Sequence, residues 1–346
     1  MTTRRRFLGT AAGVTGAAIA ATIDPNKAAA AQLPRETQAT SAHSSAFTKA
    51  NFTIELANQT QAGLKSADGG ESIGQVVAFR NGNDPVANKF LGSVKTEEFH
   101  LLTPVSESLG LPWAQWIVDM PNFQGTKKNG AVVTSDFNFA VIRRREFHNA
   151  LITEIKVPTL DGGSKDAGYL DIAVLPASAS DGSPKGKTVA PTPTQPTKVW
   201  HTADFKLEID GLDCTRVARI ESFTIKQNVS ESQFGEDRFP TLSPTTVEFP
   251  DLVVTFAAAS LPSWQAWFDD FVVKGNNSDS NEKSGSITFL TPDLKTTLAV
   301  LNLHHIGIYR LDPDNEPDES DKLPRAQASL YVEQMNFTKL GPYALT

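Results

Sequence analysis

The carboxylates in one acidic stretch are the side chains best placed for chemistry, because closely spaced oxygen ligands suit Ca²⁺. They are Asp312, Asp314, Glu316, Asp318, Glu319 and Asp321. An EF-hand loop requires Gly at its sixth position and Glu at its twelfth, but counted from Asp312 those positions hold Pro317 and Leu323. The stretch 312–321 therefore favours a solvated acidic hairpin loop over a calcium site.

Histidine and cysteine form no pattern typical of a metal site or a nucleophile. His304 and His305 are adjacent, so on a strand they point to opposite faces and cannot both bind one metal ion without a bulge. Cys214 is the single cysteine, which excludes an intramolecular disulfide and thiolate-held clusters. No His follows it at catalytic spacing, so we interpret it as a small buried residue. We name no catalytic, cofactor-binding or metal-binding residue, and predict that the protein is not an enzyme and needs no cofactor.

Four of the tryptophans occur in two pairs, which could form a platform for stacking sugars. Trp113 and Trp116 are spaced i, i+3, as are Trp264 and Trp267. Apolar residues continue at helical spacing after each pair, and a proline precedes each pair where a helix would begin. This spacing predicts one amphipathic helix around each pair, with the tryptophans packed into the core.

The elements that carry these residues occur twice, at an offset of about 150 positions. The matching segments, in chain order, are 52–56 and 205–209, 111–116 and 261–267, 129–133 and 284–288, and 168–174 and 326–332. Four collinear matches indicate an internal duplication. We predict a first domain over 49–176 and a second over 201–342.

Composition separates the two copies from each other and from the start of the chain. Residues 177–200 are rich in Pro, Ser, Thr and Lys, which is typical of a linker that buries no core. Residues 32–48 are rich in Ala, Ser and Thr and are interpreted as a flexible lead.

The first 31 residues have the pattern of a twin-arginine signal peptide. A basic start with Arg4, Arg5 and Arg6 precedes an Ala- and Gly-rich stretch and then Ala28–Ala31. The apolar stretch is shorter than the roughly 18 residues that a membrane span requires. We predict cleavage after Ala31, a periplasmic or extracellular location, and no membrane span in the mature chain.

The negative net charge of the chain argues against a protein that binds the nucleic-acid backbone. Lys and Arg number 32 against 39 Asp and Glu, a formal net charge of −7. Removal of residues 1–31 removes Arg4, Arg5, Arg6 and Lys27 but only Asp24, which takes the net charge to −10. We expect no specific binding of nucleic acid by this acidic chain.

Residue patterns outside the two helices predict strands. The clearest runs of Val, Ile, Leu, Phe and Thr lie at 216–227, 247–257, 285–291, 297–309 and 326–338. The alternation of strand and helix that dinucleotide-binding folds require is absent. We therefore predict a mainly β fold, with two tandem barrel or sandwich domains and one helix in each.

The second copy resembles the tail tube proteins of bacteriophages and the related haemolysin-coregulated tube protein of type VI secretion. The residues that carry the resemblance lie at 249–256, 264–268, 284–290, 301–309 and 329–337, and more loosely at 143–150 in the first copy. The resemblance covers about 49–176 and 203–340. It implies tube-like β domains that join through their sheet edges.

A structural protein that self-associates into rings or tubes is the function that this resemblance implies. Family rings have six positions, so a duplicated chain would complete one from three molecules. We interpret 68–92 and 228–246, which are polar and carry Gly or Pro, as protruding loops that stack rings. Two alternatives remain open: a cofactor enzyme, the commonest twin-arginine cargo, and a monomeric secreted binding module of two β-sandwich domains.

Overall fold

The computed structural model describes residues 51–80, 82, 85–183, 200–233, 238–313 and 324–345. The predicted signal peptide 1–31, the lead 32–48, most of the predicted linker and the acidic residues from 314 to 321 lie outside the described residues. We refer to residues 51–183 as the first half and to residues 200–345 as the second half.

The first half consists of strands and one α-helix. Its elements are β1 Asn51–Leu56, β2 Gln59–Leu64, β3 Ser66–Gly69, β4 Ser72–Phe79, β5 Asn88–Thr96, β6 Phe99–Pro104, α1 Leu111–Asp119, β7 Lys128–Ser135, β8 Val141–Val157, β9 Leu160–Asp161, β10 Tyr169–Leu175 and β11 Ser178–Gly182.

The second half also consists of strands and one α-helix. They are β12 Phe205–Ile209, β13 Val217–Ile220, β14 Phe223–Ser232, β15 Thr241–Glu248, β16 Leu252–Ala257, α2 Leu261–Phe268, β17 Lys283–Leu290, β18 Thr297–Pro313, β19 Arg325–Leu340 and β20 Tyr343–Ala344. Short 3-10 turns at Ala258–Ser260 and Asp279–Asn281 and a π-turn at Asp269–Val273 complete it. The prediction of a mainly β fold with one α-helix in each copy is confirmed.

Local sequence explains where these elements begin and end. Each helix begins with Leu-Pro, and proline suits the first turn because its missing N–H would have no partner there. Pro121 follows the end of α1, and Gly275, at a φ of +74°, follows the π-turn after α2. In β16, Leu252, Val254 and Phe256 are buried and alternate with less buried residues, as a strand with one core face requires.

Corresponding strands pair in the same order in the two halves. The order is β1–β7–β8–β10–β6–β3 in the first half and β12–β17–β18–β19–β16–β13 in the second. Strand β2 extends the first sheet beyond β1 and has no counterpart in this order. The two halves therefore share one topology in addition to their matching sequence segments.

Strands also cross between the halves. Strand β9 pairs with β13, and β14 pairs with β8, so each sheet contains a strand from the other half. Strand β11, inside the segment predicted to be a linker, pairs with β8 along Ser178–Gly182, and Trp200 is buried. The division into two separate domains stays a prediction.

The two helices cover the sheets with their tryptophans. Trp113 and Trp116 are fully buried, and Trp116 stacks on Phe147 with ring centroids 6.1 Å apart. Trp264 stacks on Phe256 at 4.5 Å and donates a hydrogen bond from Nε1 to the Asp213 carbonyl at 3.2 Å. Residues of both halves belong to one continuous apolar cluster. The tryptophans lie in the core, which leaves them unable to stack on a sugar.

Replacing the most tightly held tryptophan should show how far the sheets depend on this packing. We predict that Trp264→Ala lowers the free energy of unfolding by about 3–5 kcal/mol, because it leaves a cavity over Phe256. Urea unfolding followed by circular dichroism measures the change. Val273→Ala, at an exposed position beyond α2, should change it by less than about 0.5 kcal/mol. Equal effects of the two variants would contradict this account of the core.

Candidate functional site

The strand pairing between the halves is built by a hairpin that leaves its own sheet. Strands β14 and β15 form this hairpin, which we call the second hairpin because another precedes it in the chain. Strand β14 adds to the edge of β8, with Phe223 opposite Val157 and Ile225 opposite Ile155. Strand β8 is already paired with β10 on its other side along this stretch. The second hairpin therefore covers an edge of the first-half sheet that would otherwise be unpaired.

The contact between the second hairpin and the first half, which we call the internal joint, is mainly apolar. Leu242 is buried against Leu151 and Ala177, and Leu175 and Val229 pack against this group. An ion pair at the rim joins Lys226 Nζ and Glu154 Oε1 at 2.9 Å, but both side chains are partly exposed. Such exposed pairs contribute at most about 1 kcal/mol, so apolar burial and strand pairing hold the internal joint.

Strands β4 and β5 form a first hairpin with the same construction. In both hairpins the register shifts at one place, after Gly74 in β4 and after Gln227 in β14, which are 153 positions apart. Among the described residues, β4 and β5 pair only with each other. All eight residues of β4 are exposed. The first hairpin is therefore the counterpart of the second, without the strand pairing that the second one makes.

The segments interpreted as loops for stacking rings are thus mostly these two hairpins. The interpretation of 68–92 and 228–246 as loops was wrong, because β4 and β5 occupy much of the first segment, while β14 and β15 occupy both ends of the second. Glycines interrupt the apolar alternation in the first hairpin and polar residues interrupt it in the second, which hid the strand pattern in the sequence.

The first hairpin exposes the side chains that correspond to a buried face. Val76 and Leu91 are 63% and 72% exposed, and their counterparts Val229 and Pro244 are less exposed at the internal joint. The other face also carries exposed apolar residues, among them Phe79 and Phe90. A two-stranded hairpin is marginally stable alone in water, and a contiguous exposed apolar patch marks an interaction surface.

The base of the first hairpin is held in place by its own half. Arg145 donates two hydrogen bonds to the Gly70 carbonyl, at 2.9 and 2.7 Å. Arg143 donates to Glu71 at 3.0 Å, and Ser72 donates to the Ala179 carbonyl at 3.3 Å. The hydrogen bond to Glu71 raises the pKa of Arg143, whose guanidinium stays charged. These contacts fix the direction in which the apolar hairpin extends.

The second half has a strand edge that corresponds to the edge of β8 with which β14 pairs. Strand β18 pairs with β17 only up to Ile306, whereas its pairing with β19 continues to Pro313. No described strand pairs with the other side of residues 307–313, which we call the open edge. Thr153 and Ile155 are buried in β8, but Tyr309 is 47% exposed at the equivalent position of Thr153 in β18. The open edge is therefore the uncovered counterpart of the edge that receives the second hairpin.

A polar cluster lies beside the open edge. His305 Nδ1 and Glu282 Oε2 are 2.8 Å apart, and ligand atoms of these two residues and Glu333 lie within 4.8 Å of one another. Tyr331 donates a hydrogen bond to Glu282 Oε1 at 2.7 Å. Burial and this hydrogen bond raise the pKa of the Tyr331 hydroxyl, so it remains a donor at neutral pH. Two carboxylates face one imidazole, which gives the cluster an excess of negative charge.

Sequence reasoning did not find this cluster, because its members come from three separate segments that only strand pairing brings together. The structure separates the two histidines: His304 Nε2 lies 2.8 Å from Asn336 Oδ1, whereas His305 joins the cluster. Of the acidic stretch, Asp312 pairs with Arg310 on β18, and residues 314–321 lie outside the described residues.

Cys214 lies half-buried at the turn that follows β12. Burial raises the pKa of its thiol to about 11, so the reactive thiolate is scarce at neutral pH. None of the described residues near it forms an arrangement of nucleophile and base.

Comparisons with known proteins give remote likenesses. No protein-family model and no curated protein matches the chain. A chain of the anti-feeding prophage baseplate is 13% identical with a TM-score of 0.29, and the match covers 39% of this chain and 91% of that one. A sheath/tube terminator of an extracellular contractile injection system is 16% identical with a TM-score of 0.33, and the match covers 38% of this chain and 93% of that one. The tube-terminating cap of the anti-feeding prophage is 14% identical with a TM-score of 0.28, and the match covers 45% of this chain and 95% of that one.

In the part of the chain that the structure describes, no helix has the length and apolar character needed to cross a membrane.

The raised pKa of Cys214 predicts slow reaction with thiol reagents. At pH 8 the folded protein should react on the order of 100-fold more slowly than a free cysteine, because the thiolate forms only as the pH approaches about 11. The rate of Ellman's-reagent modification measures this. The same protein unfolded in urea provides the control and should react at the ordinary rate. Equal rates in the folded and unfolded states would contradict the burial of the thiol.

Proposed function

We propose that this protein is an exported, duplicated structural protein that assembles head to tail into rings. The first hairpin of one chain would add to the open edge of the next chain, as the second hairpin adds to β8 within one chain. The internal joint is the observation that carries this proposal. It shows the same kind of contact, between the second hairpin and β8, inside one chain.

Residue equivalence between the halves supports the duplication. The hairpins correspond at an offset of 153, as the bulges after Gly74 and Gln227 require. Strands β8 and β18 correspond at an offset of 156, because β7 pairs Gly130 with Phe147 just as β17 pairs Gly285 with Leu303. Asn149 and His305, 156 positions apart, both have positive φ angles at the bulge that follows this pair. The open edge thus has its counterpart in the residues of β8 that receive the second hairpin.

The symmetry of such a contact determines what it can build. The hairpin and the edge are different surfaces, so the contact is heterologous and either closes into a ring or continues as a filament. A ring of three chains would present six halves in sequence, with alternating internal joints and joints between chains. It would cover every open edge and every first hairpin, and stacked rings would give a tube. Self-association is then the main partnership of the protein, with no enzymatic activity.

Export fits an assembly that forms outside the cytoplasm. The twin-arginine pathway carries folded proteins, and the chain is acidic and has one cysteine, so its fold needs no disulfide within the chain. We propose that the mature chain begins at Gln32.

Assembly is tested by the mass of the purified protein in solution. We predict a multiple of the chain mass, with three chains for the simplest ring, measured by size-exclusion chromatography with light scattering. Val76→Asp/Leu91→Asp should reduce it to the mass of one chain, because burying two unpaired carboxylates in an interface is unfavourable.

Val77→Asp is the matched control, since Val77 is exposed on the opposite face of the same strand. It should leave the mass unchanged. Circular dichroism must show that each variant is folded. A wild-type protein that remains a single chain at high concentration would instead support the monomeric binding module.

The export proposal is tested by expression of the full chain with and without its arginine pair. Material outside the cytoplasm should begin at Gln32 on N-terminal sequencing, and Arg4→Lys/Arg5→Lys should accumulate uncleaved in the cytoplasm. Arg80→Lys, a surface change in the body of the chain, should be exported normally. Cleaved export of the double variant would show that the arginine pair is not the signal.

A further inference from the structure

The two kinds of joint differ in the chemistry of one position. At the internal joint, Leu242 packs against Ala177 and Leu151. The offset of the hairpins makes Lys89 the counterpart of Leu242, because Lys89 pairs with Ala78 as Leu242 pairs with Glu231. The residue that would enter the joint between chains is therefore a cation in place of leucine.

The residue that the hairpin contacts on the receiving strand also differs between the two joints, and there the change introduces a negative charge. Strand β11 pairs Ser178 with His148, and β19 pairs Gln334 with His304, which gives an offset of 156 for the receiving strands. At that offset, the residue that corresponds to Ala177 is Glu333. The contact of Leu242 with Ala177 inside the chain thus corresponds to a contact of Lys89 with Glu333 between chains.

We propose that an ion pair between Lys89 of one chain and Glu333 of the next determines the strength of the joint between chains. This inference rests on the proposed ring assembly and names the residues that control it. It makes that joint dependent on salt, whereas apolar burial dominates the internal joint and the Lys226–Glu154 pair at its rim contributes little.

The surroundings of both residues favour this pairing. Lys89 is exposed and forms no ion pair with any described residue, and among the described residues no Lys or Arg pairs with Glu333. Glu333 belongs to the cluster with Glu282 and His305, which has excess negative charge. An incoming ammonium group would offset that charge at an interface from which water is displaced, where a close pair has more effect than on an open surface.

The apolar part of the contact is kept beside the ion pair. Val76 corresponds to Val229, which packs in the same apolar group as Leu175. Tyr331 corresponds to Leu175, and its ring lies so close over Gly307 that a Cβ there would come within 2.1 Å of it. The ring is held flat by Gly307 and by the hydrogen bond to Glu282, so it offers a firm surface for Val76. Glycine at 307, where the first half has Leu151, makes room for this larger ring.

Charge reversal tests the pair directly. Lys89→Glu and Glu333→Lys should each raise the dissociation constant between chains at least about tenfold, because each places like charges opposite one another. The double variant Lys89→Glu/Glu333→Lys should restore it to within a few-fold of wild type. Light scattering over a concentration series gives the constants. Lys295→Glu is the control, an equal charge change at an exposed turn before β18, and should have no such effect.

A second variant copies the internal joint onto the joint between chains. Lys89→Leu/Glu333→Ala should still assemble, and its dissociation constant should change little between about 0.05 and 1 M NaCl, whereas that of wild type should rise steeply over this range. The same salt dependence in both proteins would overturn the inference.

The outcomes separate this inference from the assembly itself. If wild type assembles and the charge reversals assemble equally well, the ion pair is wrong and the ring proposal stands. A wild-type protein that never assembles overturns both. Assembly that requires added Zn²⁺, is abolished by EDTA and ignores Lys89 would show that the Glu282–His305–Glu333 cluster binds a metal ion, and would overturn the ion pair.

Discussion

Pairing of backbone groups along strand edges links the fold of this chain to its proposed assembly. Each edge presents N–H and C=O groups that require partners, and a flat, uncovered edge recruits another chain. The chain meets this requirement once internally, where the second hairpin covers β8. Among the described residues, the equivalent edge of β18 and the equivalent first hairpin have no such strand partner. The paired edge inside the chain and the two unpaired elements that match it are the basis of the proposed assembly.

Packing in the core holds the sheets, and with them the strand edges and hairpins, in fixed positions. Trp116 against Phe147 and Trp264 against Phe256 fix each helix over its sheet, and both halves share one apolar cluster. Arg143 and Arg145 then hold the base of the first hairpin. A hairpin with a fixed direction would lose less conformational freedom on docking, which favours the proposed ring over disordered aggregation.

The sequence predicted the parts that follow from local periodicity. The helices follow from Leu-Pro and the i, i+3 tryptophans, and the long strands follow from alternation around Leu301 and Leu330. The hairpins were missed, because Gly74 and Gly92 interrupt the first and polar residues dominate the exposed face of the second. The cluster of Glu282, His305 and Glu333 depends on the register of three segments, which spacing along one chain does not contain.

Hydrogen exchange of the backbone amides along the open edge distinguishes an edge paired with a neighbouring chain from an unpaired one. Residues 154–157 of β8 provide an internal reference, because the second hairpin already covers them. In the assembled protein we expect the outward amides of 307–313 to exchange as slowly as the reference. On dilution to single chains they should lose this protection while the reference keeps it. Fast exchange of 307–313 at every concentration, beside a protected reference, would contradict the proposed assembly.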